Sequence, residues 1–286
     1  MNLAEQLIER VRKQRKVIVV VGDTICDRWV HGRRAPSQDG CDKFVQEGEV
    51  VTTPGGAENA ANCLRHWQVG VHPFGYASND CPVKTRYVED GVIVFRADDD
   101  GSKTRGAGYG WARSLAFEMV KHADAVLLSD YDKGFLTTGM IAEMSDLCKD
   151  RGIPCVADAK REPRTYTGCI IKGNDDWRSK WTEWDALKDH VITYGVDEPV
   201  VNDYCIDHSF PLPTDGVNCV NHVGAGDCFA AHLTLALAYG FSLKEAATIA
   251  HSAGRVYVQY PHNRPPYPAE VVADMALAMS ANTAPV

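Results

Sequence analysis

Short, apolar, β-branched runs alternate with segments of helical spacing along most of this chain, and that rhythm restricts its fold more than any other feature. Lys16 to Val21 is a strand pattern that stops at Gly22-Asp23. Ala125 to Leu128, Ile153 to Val156 and Val191 to Tyr194 are further strand candidates. Helical patterns cover Met1 to Lys16, Ala57 to Trp67, Thr137 to Lys149 behind a threonine cap, Asp227 to Tyr239, Ser242 to Tyr257, and Pro268 to Met279. Parallel strands need long crossover connections, and a helix is the usual one. The order therefore predicts an α/β fold, a three-layer α/β/α sandwich around a mostly parallel sheet. Arg33 to Thr52 and Lys84 to Arg96 are more polar, and the second carries a hairpin signal at Glu89-Asp90-Gly91. They predict a small β lid, with strands drawn from about 33–52 and 84–98, on one domain spanning 1–286.

Composition narrows the function. With 45% hydrophobic and 24% charged residues, the 286-residue chain has globular values. A net charge of −8 argues against a nucleic-acid partner, which needs a basic surface. Apolar strings stay far below the ~18 residues of a membrane span, so no membrane partner is expected. The N-terminus reads as an amphipathic helix, not a signal peptide. The ten cysteines are scattered without a C-x-x-C pair, which predicts reduced thiols in a cytoplasmic protein and no zinc site.

Three motifs carry chemistry. Val223-Gly224-Ala225-Gly226-Asp227 opens an apolar helix. Backbone N–H groups at such a start, together with the helix dipole, suit a phosphoryl anion. Asp227 could take a proton from an attacking hydroxyl, or be an ordinary N-terminal cap. Pro54-Gly55-Gly56-Ala57-Glu58-Asn59 opens another helix, where Asn59 suits sugar hydroxyls or is a surface residue beside a tight turn. Val21-Gly22-Asp23-Thr24-Ile25-Cys26-Asp27 places Asp23 and Asp27 near the carboxyl end of a strand, where parallel sheets bind ligands; both could instead be turn formers. No G-x-x-x-x-G-K-[ST] loop occurs, and Gly106-Ala107-Gly108-Tyr109-Gly110 reads as a flexible loop.

In this order the motifs resemble the ribokinase or PfkB family of carbohydrate kinases, from about Lys16 to Pro268. Asp27-Arg28-Trp29, Leu128-Ser129-Asp130-Tyr131 with Lys133-Gly134, and Gly152-Ile153-Pro154 with Asp158 and Lys160 are similar to the branch that acts on D-glycero-D-manno-heptose 7-phosphate in ADP-heptose synthesis. A nucleotidyltransferase domain often follows in that bifunctional enzyme, so the expectation here is the kinase half. The resemblance implies a ribokinase-like sandwich, ATP with Mg2+, and a sugar or sugar phosphate as acceptor. It implies Asp227 as catalytic base, with Gly224, Ala225 and Gly226 supplying an anion hole. It implies Asp27, Gly55, Gly56 and Asn59 at the sugar, and Arg86, Arg96 and Lys133 at the substrate's phosphate or near the active site. Asn174, Thr193 and Gly195 would border the nucleotide, with Ala253 near the adenine. Lids often pair between subunits in this family, which makes a homodimer an expectation.

The chain departs from the family pattern in five places. Only eight residues separate Gly75 from Lys84, and Trp177 to His190 is also short. The family's N-x-x-E, which helps place magnesium, is Asn174-Asp175-Asp176-Trp177, and Asn221 stands where an aspartate tied to monovalent-cation binding is common. Gly195-Val196-Asp197-Glu198 lacks a second glycine. Trp177, Trp181 and Trp184 fall on one helical face and read as core or contact surface. A binding protein without catalysis, derived from such a kinase, and a same-fold kinase for another sugar are the alternative readings.

Overall fold

A strand buried on both faces, β1 (Val17–Gly22), organises the main sheet. Its side chains alternate, with Ile18 and Val20 in one apolar cluster and Val19 and Val21 in the other. The computed structural model describes residues 1–77, 79–100, 109–174, 189–194, 197–203, 208–210 and 217–281.

α1 (Leu3–Lys13) precedes β1, and Asn2 caps it through a reciprocal pair of bonds with Glu5. After β1 come β2 (Thr24–Pro36), β3 (Asp42–Gly56), α2 (Ala57–Arg65), β4 (Gly70–Phe74), β5 (Val83–Glu89), β6 (Val92–Asp99), α3 (Gly110–Val120) and β7 (Ala125–Ser129). Next are α4 (Thr138–Arg151), β8 (Cys155–Asp158), β9 (Ile170–Asn174), β10 (His190–Tyr194), β11 (Asp197–Asp203) and β12 (His208–Phe210). The helices α5 (Ala225–Ala238), α6 (Leu243–Tyr257) and α7 (Pro268–Ala281) follow.

The main sheet runs β12-β11-β10-β9-β8-β7-β1-β4, parallel from β4 through β10 and antiparallel at β11 and β12. Residues of α1, α2, α5, α6 and α7 share one apolar cluster with the sheet, while α3 and α4 share the other. This is the expected three-layer order. Among the described residues no helix is long and apolar enough to cross a membrane.

A second sheet, β3-β2-β5-β6, is the lid. It is longer than expected, because β2 leaves β1 after one residue and pairs with β3 from Thr24↔Gly56 to Pro36↔Asp42. The burial along β2 is irregular, so it lacks the alternation that marks a strand in sequence. The hairpin between β5 and β6 turns on Asp90 and Gly91, with φ of 50° and 80°, as a two-residue turn with both centres left-handed requires. Strands β4, β9, β11 and β12 and helix α3 had no sequence expectation. Of the glycine-rich loop, residues 106–108 lie outside the described residues, and Gly110 starts α3 instead of continuing a loop.

Candidate active site

The site gathers where β1 and β7 end, where α2 and α5 begin, and where the lid folds over. Gly56 joins β3 to α2 with φ of 58°, and a Cβ there would overlap the Asp23 carbonyl oxygen, so only glycine makes this turn. The turn buries Asn59 on the first coil of α2. Gly224, with φ of 85°, starts α5, and a Cβ there would run into the Tyr257 hydroxyl and the Asn59 amide. The two glycine motifs therefore meet.

Asp227 lies in the first turn of α5 and is buried. The Tyr131 hydroxyl donates to its Oδ1 at 2.6 Å, and Asn59 Nδ2 donates to its Oδ2 at 3.0 Å. Burial, with the Asp158 carboxylate nearby, pushes its pKa up to about 6, while the bonds from Tyr131 and Asn59 and the charge of Lys172 hold it down. A carboxyl group that titrates near neutrality is suited to accept a proton from a hydroxyl.

The nest lies beside it. The Ala225 N–H donates to the His222 carbonyl at 3.2 Å and so closes the turn. The N–H groups of Gly224, Gly226 and Asp227 donate to no carbonyl among the described residues, and no side chain caps the helix. These donors and the helix dipole fit a phosphate group. Asn221 Oδ1 supports the turn by accepting the Val223 N–H at 3.0 Å. Beneath the nest, buried Lys172 of β9 pairs with buried Asp158 of β8 at 3.1 Å. A Cβ on Gly226 would come within 2.8 Å of the Lys172 ammonium.

Asn59 aims its amide at Asp227. It is fully buried, and its Nδ2 also faces the Gly224 carbonyl at 3.3 Å and the Tyr257 hydroxyl at 3.1 Å. In this arrangement it holds the Asp227 carboxylate in place. Asp23 is likewise structural: its carboxylate accepts the N–H groups of Tyr131, Lys133 and Phe135 at 2.8, 3.1 and 3.0 Å, and so shapes the loop after β7.

Asp27 sits at the site wall on β2. Its Oδ1 accepts from Arg86 Nη1 at 2.6 Å, and its Oδ2 accepts from Asn263 Nδ2 at 3.1 Å. A Cβ on Gly55 would overlap Asp27 Oδ2, so that glycine lets the carboxylate cross the neighbouring strand. Arg86 is buried and lies over the Trp29 ring, 5.1 Å from its centroid. Arg96 faces Arg86 across the hairpin, but is half exposed and bound to Asp98. Lys133 pairs with Asp100 at 2.6 Å.

On the expected nucleotide side, Asn174 and Thr193 are register partners at the ends of β9 and β10, and the Thr193 hydroxyl donates to the Gly173 carbonyl at 3.2 Å. Gly195, Asp175, Asp176, Trp177, Trp181 and Trp184 lie outside the described residues. Ala253 is fully buried in the helical core cluster. Among the described residues no group of three or more His, Cys, Asp or Glu side chains forms a metal cage.

Sequence reading missed Lys84, Lys172, Tyr257 and Asn263, and gave Tyr131 no role. A polar residue in a strand pattern, as Lys84 and Lys172 are, was the available signal for two of them.

Residues 180–270 match the pfkB family carbohydrate kinases. The chain is 31% identical to the bifunctional protein HldE of Caulobacter vibrioides, over 85% of this chain and 60% of that protein. It is 26% identical to the bifunctional protein HldE of Nitratiruptor sp., over 84% of this chain and 61% of that protein. The chain thus spans about three fifths of the length of these curated relatives. Ribokinase of Arabidopsis thaliana, solved with ribose and ATP, shares the fold at a TM-score of 0.67 and 16% identity, covering 92% of this chain and 99% of that one.

Proposed function

We propose that this chain, whose residues 180–270 match the pfkB family carbohydrate kinases, is an ATP-dependent kinase that transfers the γ-phosphoryl group of ATP to a hydroxyl of D-glycero-D-manno-heptose 7-phosphate or a close analogue. One observation carries the reading: a buried carboxyl, Asp227, held by Asn59 and Tyr131 beside a helix start whose first N–H groups have no acceptor among the described residues. Asp227 would take the acceptor hydroxyl's proton as its oxygen attacks the γ-phosphorus, while the N–H groups of Gly224, Gly226 and Asp227 offset the charge gathering on the phosphoryl oxygens. Mg2+, when bound with ATP, would neutralise the phosphates; Asn174, on the end of β9, is the described residue proposed beside it. Asp27, fixed by Arg86 and Asn263, would orient the sugar. The HldE relatives and the heptose-kinase resemblance support the choice of sugar. One kinase domain spanning 1–286, a cytoplasmic setting and a homodimer paired through the lids complete the proposal.

The test is ADP release with ATP and Mg2+ over a panel of sugars and sugar phosphates. The heptose 7-phosphate should turn over best, and Asp227→Asn should lower kcat by roughly 10²–10⁴-fold while the fold stays intact. Full activity in that variant would remove Asp227 as the base. A higher kcat/KM for an unphosphorylated sugar would overturn the choice of substrate.

A further inference from the structure

Lys84 is a buried lysine that makes no ion pair among the described residues. It lies on lid strand β5 at 9% exposure, two residues before Arg86, so both side chains point to the same face. A buried ammonium is costly unless it is paired. The cations nominated from sequence all have carboxylates: Arg86 has Asp27, Arg96 has Asp98 and Lys133 has Asp100. Among the described residues Lys84 makes no ion pair; its ammonium stands 4.5 Å from the centroid of the Tyr131 ring. Lys160, just past β8, stands 5.3 Å from the same centroid and also makes no ion pair among the described residues. Two cations, one on a lid strand and one just past β8, thus both stand close to the ring of the tyrosine whose hydroxyl binds Asp227. Burial lowers the pKa of Lys84, and the negative charges of Asp27 and Asp227 act against that. An incoming anion would add to those charges and remove the cost of the buried ammonium.

We propose that Lys84 and Lys160 form an anion subsite beside Asp227 that binds phosphate oxygens. The inference rests on the kinase reading for its substrate and deepens it. The oxygens belong either to the sugar's own phosphate or to the phosphoryl group in transfer, and the lid position of Lys84 makes the subsite complete only when the lid is down.

Two measurements test it on the full chain. Binding of inorganic phosphate to the protein without sugar or nucleotide, followed by calorimetry, should weaken at least tenfold in Lys84→Met and in Lys160→Met, and Lys84→Arg should restore most of it. Kinetics then separate the two sources. A tenfold or larger rise in KM confined to phosphorylated sugars, with kcat kept, supports the sugar's phosphate. A matching fall in kcat for phosphorylated and unphosphorylated sugars supports the group in transfer. Phosphate affinity and kinetic constants all within twofold of the parent, in variants that melt as the parent does, would overturn the subsite. If the parent turns over no sugar, the kinase reading fails, and phosphate binding alone still decides for or against the subsite.

Discussion

The chemistry turns on how Asp227 is held. Burial and the neighbouring Asp158 raise its pKa to about 6, and the Tyr131 hydroxyl opposes them. As a base, Asp227 must be ionised, so kcat/KM is expected to fall as pH drops below about 6. Tyr131→Phe removes a donor that favours the carboxylate, so that acidic limb should move to higher pH; a pH–rate profile of both proteins checks it. The same shift has a stability sign. A carboxyl whose folded pKa lies above its ordinary value of 3.8 favours folding in its protonated form. That contribution is fully present below 3.8 and is lost as pH rises through about 6. Asp227→Asn, which carries no charge, should therefore gain in Tm relative to the parent between pH 5 and pH 8. Thermal melts at the two values measure the difference.

At the scale of elements, α2 and α5 are locked together by more than the site. Trp67, just past α2, donates its indole N–H to His232 Nε2 on α5 at 2.9 Å, and both are buried. His232 Nδ1 lies 2.8 Å from the Cys228 carbonyl, which fits the tautomer with its proton on Nδ1. Burial lowers the His232 pKa to about 4, so the ring stays neutral at ordinary pH. Trp67→Phe leaves Nε2 without its donor and also removes packed atoms; it should cost about 1–3 kcal/mol for the lost bond alone. Urea unfolding at pH 7 checks this. Because α2 carries Asn59 and α5 carries Asp227, the same variant should lower kcat more than it raises KM. The helical stripe of Ala60, Ala61, Leu64 and Trp67 was legible from spacing, and all four are buried. The polar bond that ends the stripe was not legible, since nothing in the order of residues brings His232 to Trp67.

The whole molecule pairs a deeply buried sheet with a lid that keeps apolar side chains in water. Val92, Ile93 and Phe95 are exposed on β6, which is the edge of the lid sheet. An exposed apolar edge strand invites pairing with another chain. The proposed homodimer predicts that Val92→Lys with Phe95→Glu lowers the mass seen by sedimentation velocity from two chains to one. It also predicts weaker sugar binding, because the lid carries Asp27, Lys84 and Arg86. A single-chain mass for the unaltered protein would remove this interface.

The sequence by itself determined the layered α/β order, because the period of apolar residues decides which segments can bury a stripe and which a face. It also determined the two glycine motifs, since turns with left-handed φ at Gly56 and Gly224 demand glycine locally. Only the tertiary structure decided which polar residues serve the site. Asp23 and Asp27 look alike in the chain, yet one shapes a loop and the other sits on the lid, bound to Arg86. Asn59 supports Asp227 from 168 residues away. Arg86, Arg96 and Lys133 each meet a carboxylate, and among the described residues Lys84 pairs with none. Charge pairing and hydrogen bonding depend on distances of a few ångströms between elements far apart in sequence, and those distances exist only once the sheet, the helices and the lid have closed on one another.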